Sequence, residues 1–362
     1  MKKLLVADDS ALMRKYLREI FEDEGSFEVV TARNGREALA QIAQHNPDVV
    51  TLDINMPEMD GLSCLTEIMA KSPRPVVMVS SLTGEGARAT LEALARGAVD
   101  FIQKPGGTVS LNLHEVRDQL IAKVEAAARA KPRRARGLLA RIRGSTPRAA
   151  PRRSAEAAEA LTNLVVIGVS TGGPRTLEDI LPELPADFPW PVIIAQHMPR
   201  AFTASFAARL NELCEVSVVE VDGPLPLRRG SVFIGRGGAD VVIERRLGRL
   251  AVNCVSEDPD HLWHPSVERL VRSAMSSMEP AKLVAIQLTG MGNDGAAAMT
   301  ALRRAGGRTI AEDESTAIVN GMPGELVRMG GAEKILPSDA IADQLIVWAK
   351  SRSERAADQI AT

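Results

Sequence analysis

The stretch LVVIGVSTGGP, residues 164–174, sets the reading of the whole chain. A run of β-branched and apolar residues suited to a buried strand breaks at Gly168, offers two hydroxyls and two glycines, and reaches a proline that favours the first turn of a helix. Strand, tight turn, helix is the step from which α/β sheets are built, and it puts the turn at a strand's carboxyl end, where such sheets carry their sites. Ser170 reads three ways. G-x-S-x-G is the pattern of a nucleophile exposed on a sharp turn; glycines at a helix start also cradle anions; and Ser or Thr there caps a helix. No GKS or GKT lysine follows, and GRGGAD at 235–240 lacks full dinucleotide spacing, which argues against the phosphate loop. The segment by itself leaves the cap open.

The same alternation runs outward in both directions. Before residue 125, short apolar runs (LLVA, FEVVTA, DVVTLDI, PVVMVSS, VDFIQK) alternate with helical patterns, the last from about Leu113, predicting a doubly wound five-stranded parallel sheet over 1–125. Lys131–Ala155 holds nine basic residues, three prolines and no acid, the texture of an extended spacer, so 126–160 is expected to be a basic linker. Strands recur from NLVVIGV to RTIAED, and 161–352 is expected to form a second α/β domain with a mostly parallel sheet and an antiparallel portion around 216–255, where no helix intervenes. Residues 353–362 are left as a tail.

Composition narrows the partners. Hydrophobic content of 45% and a formal net charge of −2 suit a globular chain and argue against one built to grip nucleic acid. The arginine-rich linker keeps a DNA-binding regulator in view, although the second domain shows no helix-turn-helix pattern. Three scattered cysteines fit neither a disulfide framework nor a zinc site and point to a reducing, cytoplasmic setting. The N-terminal apolar run is interrupted by Asp8 and Asp9, and nothing approaches the ~20 apolar residues of a membrane helix, so neither a signal peptide nor membrane insertion is expected.

Asp8 and Asp9 follow the first strand, Asp53 ends the third, Ser80 the fourth, and Lys104 follows the fifth, ahead of Pro105. Carboxylates converging at one sheet edge repel unless a cation sits among them, and an all-oxygen site suits Mg²⁺. A carboxylate there can accept a phosphoryl group, with a lysine and a hydroxyl holding its oxygens. With TLDINMPEMDG and the KP step in order, residues 1–125 resemble the receiver domain of two-component response regulators. The resemblance implies that Asp53 is the phospho-acceptor, that Asp8, Asp9, Asp53 and the carbonyl of Asn55 form the Mg²⁺ site, that Ser80 and Lys104 contact the phosphoryl group, and that a sensor histidine kinase is the phosphodonor. Phe101 stands where that family often has a mobile aromatic, though a strand phenylalanine is usually core.

A nucleophilic Ser170 needs a base. Of five histidines, His45 and His114 fall in or beside helical patterns, and His261 and His264 in DHLWHPS read as loop or packing residues. His197 directly follows the strand PVIIA and would share a sheet edge with Ser170. Asp294, in QLTGMGNDGA after another strand, would fix the imidazole's tautomer. The order Ser, His, Asp differs from that of α/β hydrolases. STGGP, QHMP and TGMGNDGA, extended by GGRTIAEDESTAIVNGMP, resemble the catalytic domain of the chemotaxis protein-glutamate methylesterases. That resemblance implies a Ser170–His197–Asp294 triad, support from Thr171, an oxyanion donor at the Met291 amide, no cofactor in the esterase site, and a chemoreceptor cytoplasmic domain as substrate. Val169 and the 235–240 stretch, with Asp240 in place of a histidine, depart from the family pattern.

Overall fold

Valines, isoleucines and leucines buried on both faces are what parallel strands need, and they decide both sheets. The structure is a computed structural model and describes residues 1–80, 84–104, 113–130 and 161–360. The basic stretch, with most of the expected linker, and Pro105 lie outside them. The chain divides into two units, Met1–Arg148 and Ala149–Thr362.

In the first unit β1 (Lys2–Ala7), β2 (Phe27–Ala32), β3 (Val49–Asp53), β4 (Val76–Ser80) and β5 (Asp100–Gln103) form one parallel sheet in the order β2-β1-β3-β4-β5. Helices Ala11–Asp23, Gly35–His45, Gly61–Lys71, Gly84–Arg96 and Leu113–Ala127 follow the strands in turn. The first buries Leu17, Ile20 and Phe21 and is capped by Ser10, whose hydroxyl accepts from the Met13 amide. β1 and β3 are neighbours although β2 lies between them in sequence, so chain direction reverses at their carboxyl ends. Crevices for sites open at such reversals.

In the second unit β6 (Leu164–Val169), β7 (Val192–Gln196), β8 (Ser217–Val221), β10 (Ser231–Gly235), β13 (Leu283–Gln287), β14 (Arg308–Glu312) and β15 (Lys334–Leu336) make a parallel sheet in the order β15-β14-β13-β6-β7-β10-β8. A separate antiparallel sheet holds β11 (Asp240–Arg246), β12 (Arg249–Val255) and β9 (Leu225–Pro226). This corrects the expected antiparallel stretch at 216–255: β8 and β10 pair in parallel within the main sheet, and only β9, β11 and β12 run antiparallel. No helix was needed for the crossover, because the segment between β8 and β10 travels back along β12 as β9. Leu164, Val166, Ile193, Ala195, Val241, Val252, Leu270 and Val271 lie in one core between the two sheets and helix Val267–Ser277. The valines, leucines and isoleucine among them each contribute on the order of 2 kcal/mol by leaving water. β6 is central, with β13 on one side and β7 on the other, which brings three loops to one place. The last helix, Ser338–Ile360, runs on through the stretch set apart as a tail.

Candidate active site

Ser170 and His197 leave neighbouring strands. Val169 is in register with Gln196, so the next residue on each strand sits side by side at the ~4.8 Å spacing of a sheet. The two ends are tied together. The His197 amide donates to the Val169 carbonyl (3.0 Å), and the Gln196 side-chain amide donates to the carbonyls of both Ser170 (3.0 Å) and His197 (3.1 Å). Ser170 is 9% exposed, and its own amide donates to Thr289. The cap reading of this turn is excluded: Gly172 occupies the N-cap of helix Gly173–Ile180 with φ 80° and no side-chain cap bond. Only glycine takes that left-handed backbone readily. Thr171 is buried, its carbonyl accepting from Thr289 Oγ1 (2.9 Å).

From the β13 side, Asp294 reaches His197. Its Oδ2 lies 2.9 Å from His197 Nε2 and accepts from the Val267 amide (2.7 Å), while Oδ1 accepts from the Glu268 amide (2.9 Å) and Ser266 Oγ (3.2 Å). The carboxylate thus seats on the amino end of helix Val267–Ser277, where free amides and the helix dipole favour negative charge. Burial by itself pushes the Asp294 pKa up; the His197 hydrogen bond, that residue's charge and the two amides outweigh burial and hold it below the ordinary carboxylate value. An ionised Asp294 cannot donate, so His197 Nε2 carries the proton. Nδ1, which carries the lone pair of a neutral imidazole, is buried and has no hydrogen-bond partner among the described residues. The carboxylate sits on Nε2, where in the familiar serine-protease geometry it sits on Nδ1.

Met291 follows Gly290, which packs hard against the serine: a Cβ at Gly290 would stand 2.7 Å from Ser170 Cβ and 2.4 Å from Met322 Sδ. The Met291 peptide therefore begins one residue from the Ser170 backbone. Behind this turn buried Glu312 accepts from the Thr289 amide (2.8 Å), fixing the residue that receives the Ser170 amide bond. A hydroxyl, an imidazole with a free lone pair and a carboxylate at one sheet edge is equipment for acyl transfer.

Three participants escaped the sequence reading, and a fourth, Asp240, entered it only as a departure from the family pattern. Gln196 and Ser266 carry no motif, although Ser before the apolar period VERLV is an N-cap signal. Trp263 stacks on His197, ring centroids 5.2 Å apart and planes 11° apart. Asp240, fully buried, accepts from the Ser266 amide (2.8 Å), the Asp258 amide (3.1 Å) and Arg269 Nη1 (2.7 Å), and pairs with His264 Nδ1 (3.1 Å). Burial raises its pKa, but these bonds, led by the Ser266 amide, leave it below the ordinary value.

At the β1/β3 edge of the first unit, ligand atoms of Asp8, Asp9 and Asp53 lie within 4.8 Å of one another. Asp8 and Asp53 are buried, Asp9 is exposed, and Lys104 Nζ sits 3.0 Å from Asp8 Oδ2 and 2.8 Å from Asp53 Oδ2. Three hard oxygen donors around one point fit Mg²⁺. Burial raises the Asp53 pKa; the Lys104 bond opposes it, Asp8 adds to it, and the net shift is upward. Ser80 closes β4, with its hydroxyl accepting from Thr90 Oγ1 (2.8 Å), and the Asn55 amide hydrogen-bonds Asp53. Phe101 is buried in β5. Among the described residues no helix is long and apolar enough to cross a membrane.

Two family models match: residues 4–114 the response regulator receiver domain, residues 165–345 the CheB methylesterase. A protein-glutamate methylesterase/protein-glutamine glutaminase of Rhodospirillum rubrum is 54% identical, with 98% of each chain covered, and one of Vibrio cholerae is 43% identical over 90% of each. The crystal structure of the Thermotoga maritima CheB methylesterase catalytic domain superposes with a TM-score of 0.50 at 36% identity, covering 51% of this chain and 98% of that one. With a receiver domain ahead of it and the matched catalytic region behind, the chain belongs to the CheB methylesterase family.

Proposed function

We propose that the protein removes methyl esters from glutamate side chains on the cytoplasmic part of chemoreceptors, and deamidates glutamines there, with Ser170 as nucleophile, His197 as base and Asp294 as its orienting carboxylate. The juxtaposition carrying this is His197, bonded to Asp294 through Nε2 at 2.9 Å and beside Ser170 through the Val169/Gln196 register, with Nδ1 buried and unpaired. Ser170 Oγ attacks the ester carbonyl as its proton passes to His197 Nδ1. Asp294 and the helix start behind it stabilise the imidazolium. The oxyanion forms next to the Met291 amide, a donor of a type worth roughly 3 kcal/mol of barrier. The imidazolium returns its proton to departing methanol. Water, deprotonated by the same imidazole, then cleaves the acyl-enzyme and leaves glutamate; from glutamine the leaving group is ammonia.

In the receiver unit Asp53 would accept a phosphoryl group from a sensor histidine kinase. Asp8, Asp9, Asp53 and the Asn55 carbonyl would hold Mg²⁺, which when bound neutralises charge on the incoming phosphate. Lys104, already between Asp8 and Asp53, would pair with the phosphoryl oxygens, and Ser80 would hydrogen-bond them. The charge added at Asp53 is the natural input to a two-state control of the esterase, with phosphorylation raising turnover in the cytoplasm. Residues 126–160 serve as the connecting linker.

The test is methanol release from a methylated receptor fragment by the native chain and by Ser170→Ala, each with and without Mg²⁺ and a small phosphodonor. Native turnover that rises with phosphodonor and vanishes in Ser170→Ala is expected. Turnover surviving in Ser170→Ala would remove the nucleophile assignment. Native turnover indifferent to phosphodonor would remove the control alone.

A further inference from the structure

The segment between β12 and helix Val267–Ser277 is held on both sides. Asp240 takes the amides of Asp258 and Ser266 and the His264 ring, Arg269 Nη1 reaches Asp240 and the Ser256 carbonyl (2.8 Å), and the Gly238 amide donates to the His264 carbonyl (3.4 Å). What this clamp presents is Trp263, half-buried, its indole lying nearly parallel on the His197 imidazole. Trp263 reacts with nothing and bonds nothing in the hydrolytic chemistry.

The geometry points to Trp263 as a positioning residue for hydrolysis: the clamped indole fixes the plane of the His197 ring so that Nε2 stays on Asp294 and the Nδ1 lone pair stays aimed at the serine proton. This rests on His197 being the base. Asp294 restrains the imidazole at one ring atom only, and a ring held at one atom still turns about its Cβ–Cγ bond. With a flat face against it, such a turn drives a ring edge into the indole. The same face favours the imidazolium formed during the reaction, because a π cloud attracts a cation above it. A small loss of alignment at a base is costly, about 10²-fold for displacements near 1 Å.

The experiment uses the full chain with the methylated receptor fragment. Trp263→Phe and Trp263→Tyr keep a flat face; Trp263→Leu and Trp263→Met keep apolar bulk without one. The flat pair should retain kcat within ~3-fold, and the other pair should lose ~10- to 100-fold in kcat with KM changed by less than ~2-fold. A side chain that only packed the loop would be served equally by all four. Tryptophan emission reads the contact without turnover: His197→Gln should shift the emission of the native chain and leave that of Trp263→Phe unmoved. Leu and Met variants as fast as native, or Phe and Tyr variants as slow as Leu, overturn the positioning role. Turnover retained in His197→Gln overturns the base assignment beneath it.

Discussion

Asp294→Asn changes one atom and bears on every contact of the site. Oδ2 serves His197 Nε2 and the Val267 amide; Oδ1 serves the Glu268 amide and Ser266 Oγ. An amide has one oxygen, so its NH₂ must face one of these pairs. Facing Nε2, it makes that nitrogen an acceptor, moves the imidazole proton to Nδ1 and leaves no lone pair for Ser170. Facing Glu268, it preserves the tautomer but opposes a backbone N–H and presents no charge to the imidazolium. Either placement leaves one buried donor unpaired, about 1–3 kcal/mol, and removes a charge from a helix start, about 0.3–1 kcal/mol. A stability loss of about 1–4 kcal/mol follows, with kcat down by roughly 10³- to 10⁴-fold, the scale seen when a triad carboxylate becomes an amide. The pH dependence has a definite sign. Because the folded pKa of Asp294 lies below the ordinary value near ~3.9, its contribution is full above that value and lost as pH falls through the lower folded one. The thermal-midpoint gap between native and Asp294→Asn should therefore be constant near neutrality and close below about pH 4. Methanol release and melting curves check both. Turnover within ~10-fold of native, or a gap that persists in acid, would refute the reasoning.

Two further substitutions follow from the same geometry. Gly290→Ala places a methyl 2.7 Å from Ser170 Cβ and 2.4 Å from Met322 Sδ; the serine turn must move, and methanol release should fall at least ~10-fold while the chain remains folded. Asp53→Asn abolishes phosphoryl transfer from a small donor, read by phosphoprotein mass. It also removes a carboxylate whose pKa is raised chiefly by burial. A raised carboxylate is destabilising once ionised, so the variant should melt higher near neutrality, with the gain vanishing as pH drops below the ordinary carboxylate range.

Much of the fold was legible because parallel strands bury both faces, so LVVIGV and PVVMVS leave no other reading. The direction of β8 and β10 was not legible. Absence of a helix around 216–255 suggested antiparallel pairing, whereas β9 supplies the crossover with two paired residues. β15, the short KIL, has no periodicity to detect. In the site, glycine-flanked Ser170, His197 and Asp294 stood out because each follows a strand. The cap reading of the serine turn stayed open in sequence, since Gly172's positive φ is visible only in the fold. Trp263, Gln196 and Asp240 act through contacts between segments distant in sequence; Asp240 and Ser266, 26 residues apart, meet only when β11 lies against the helix that Ser266 caps.

Labelling by a fluorophosphonate, which bonds preferentially with a serine whose proton is taken by a neighbouring base, tests the pairing of Ser170 with His197 directly. Peptide mass mapping of the full chain should find the phosphonyl group on Ser170, with labelling slowed by orders of magnitude in His197→Gln. A label on any other serine, or a His197→Gln chain that reacts as fast as the native one, would show that Ser170 is not activated by His197.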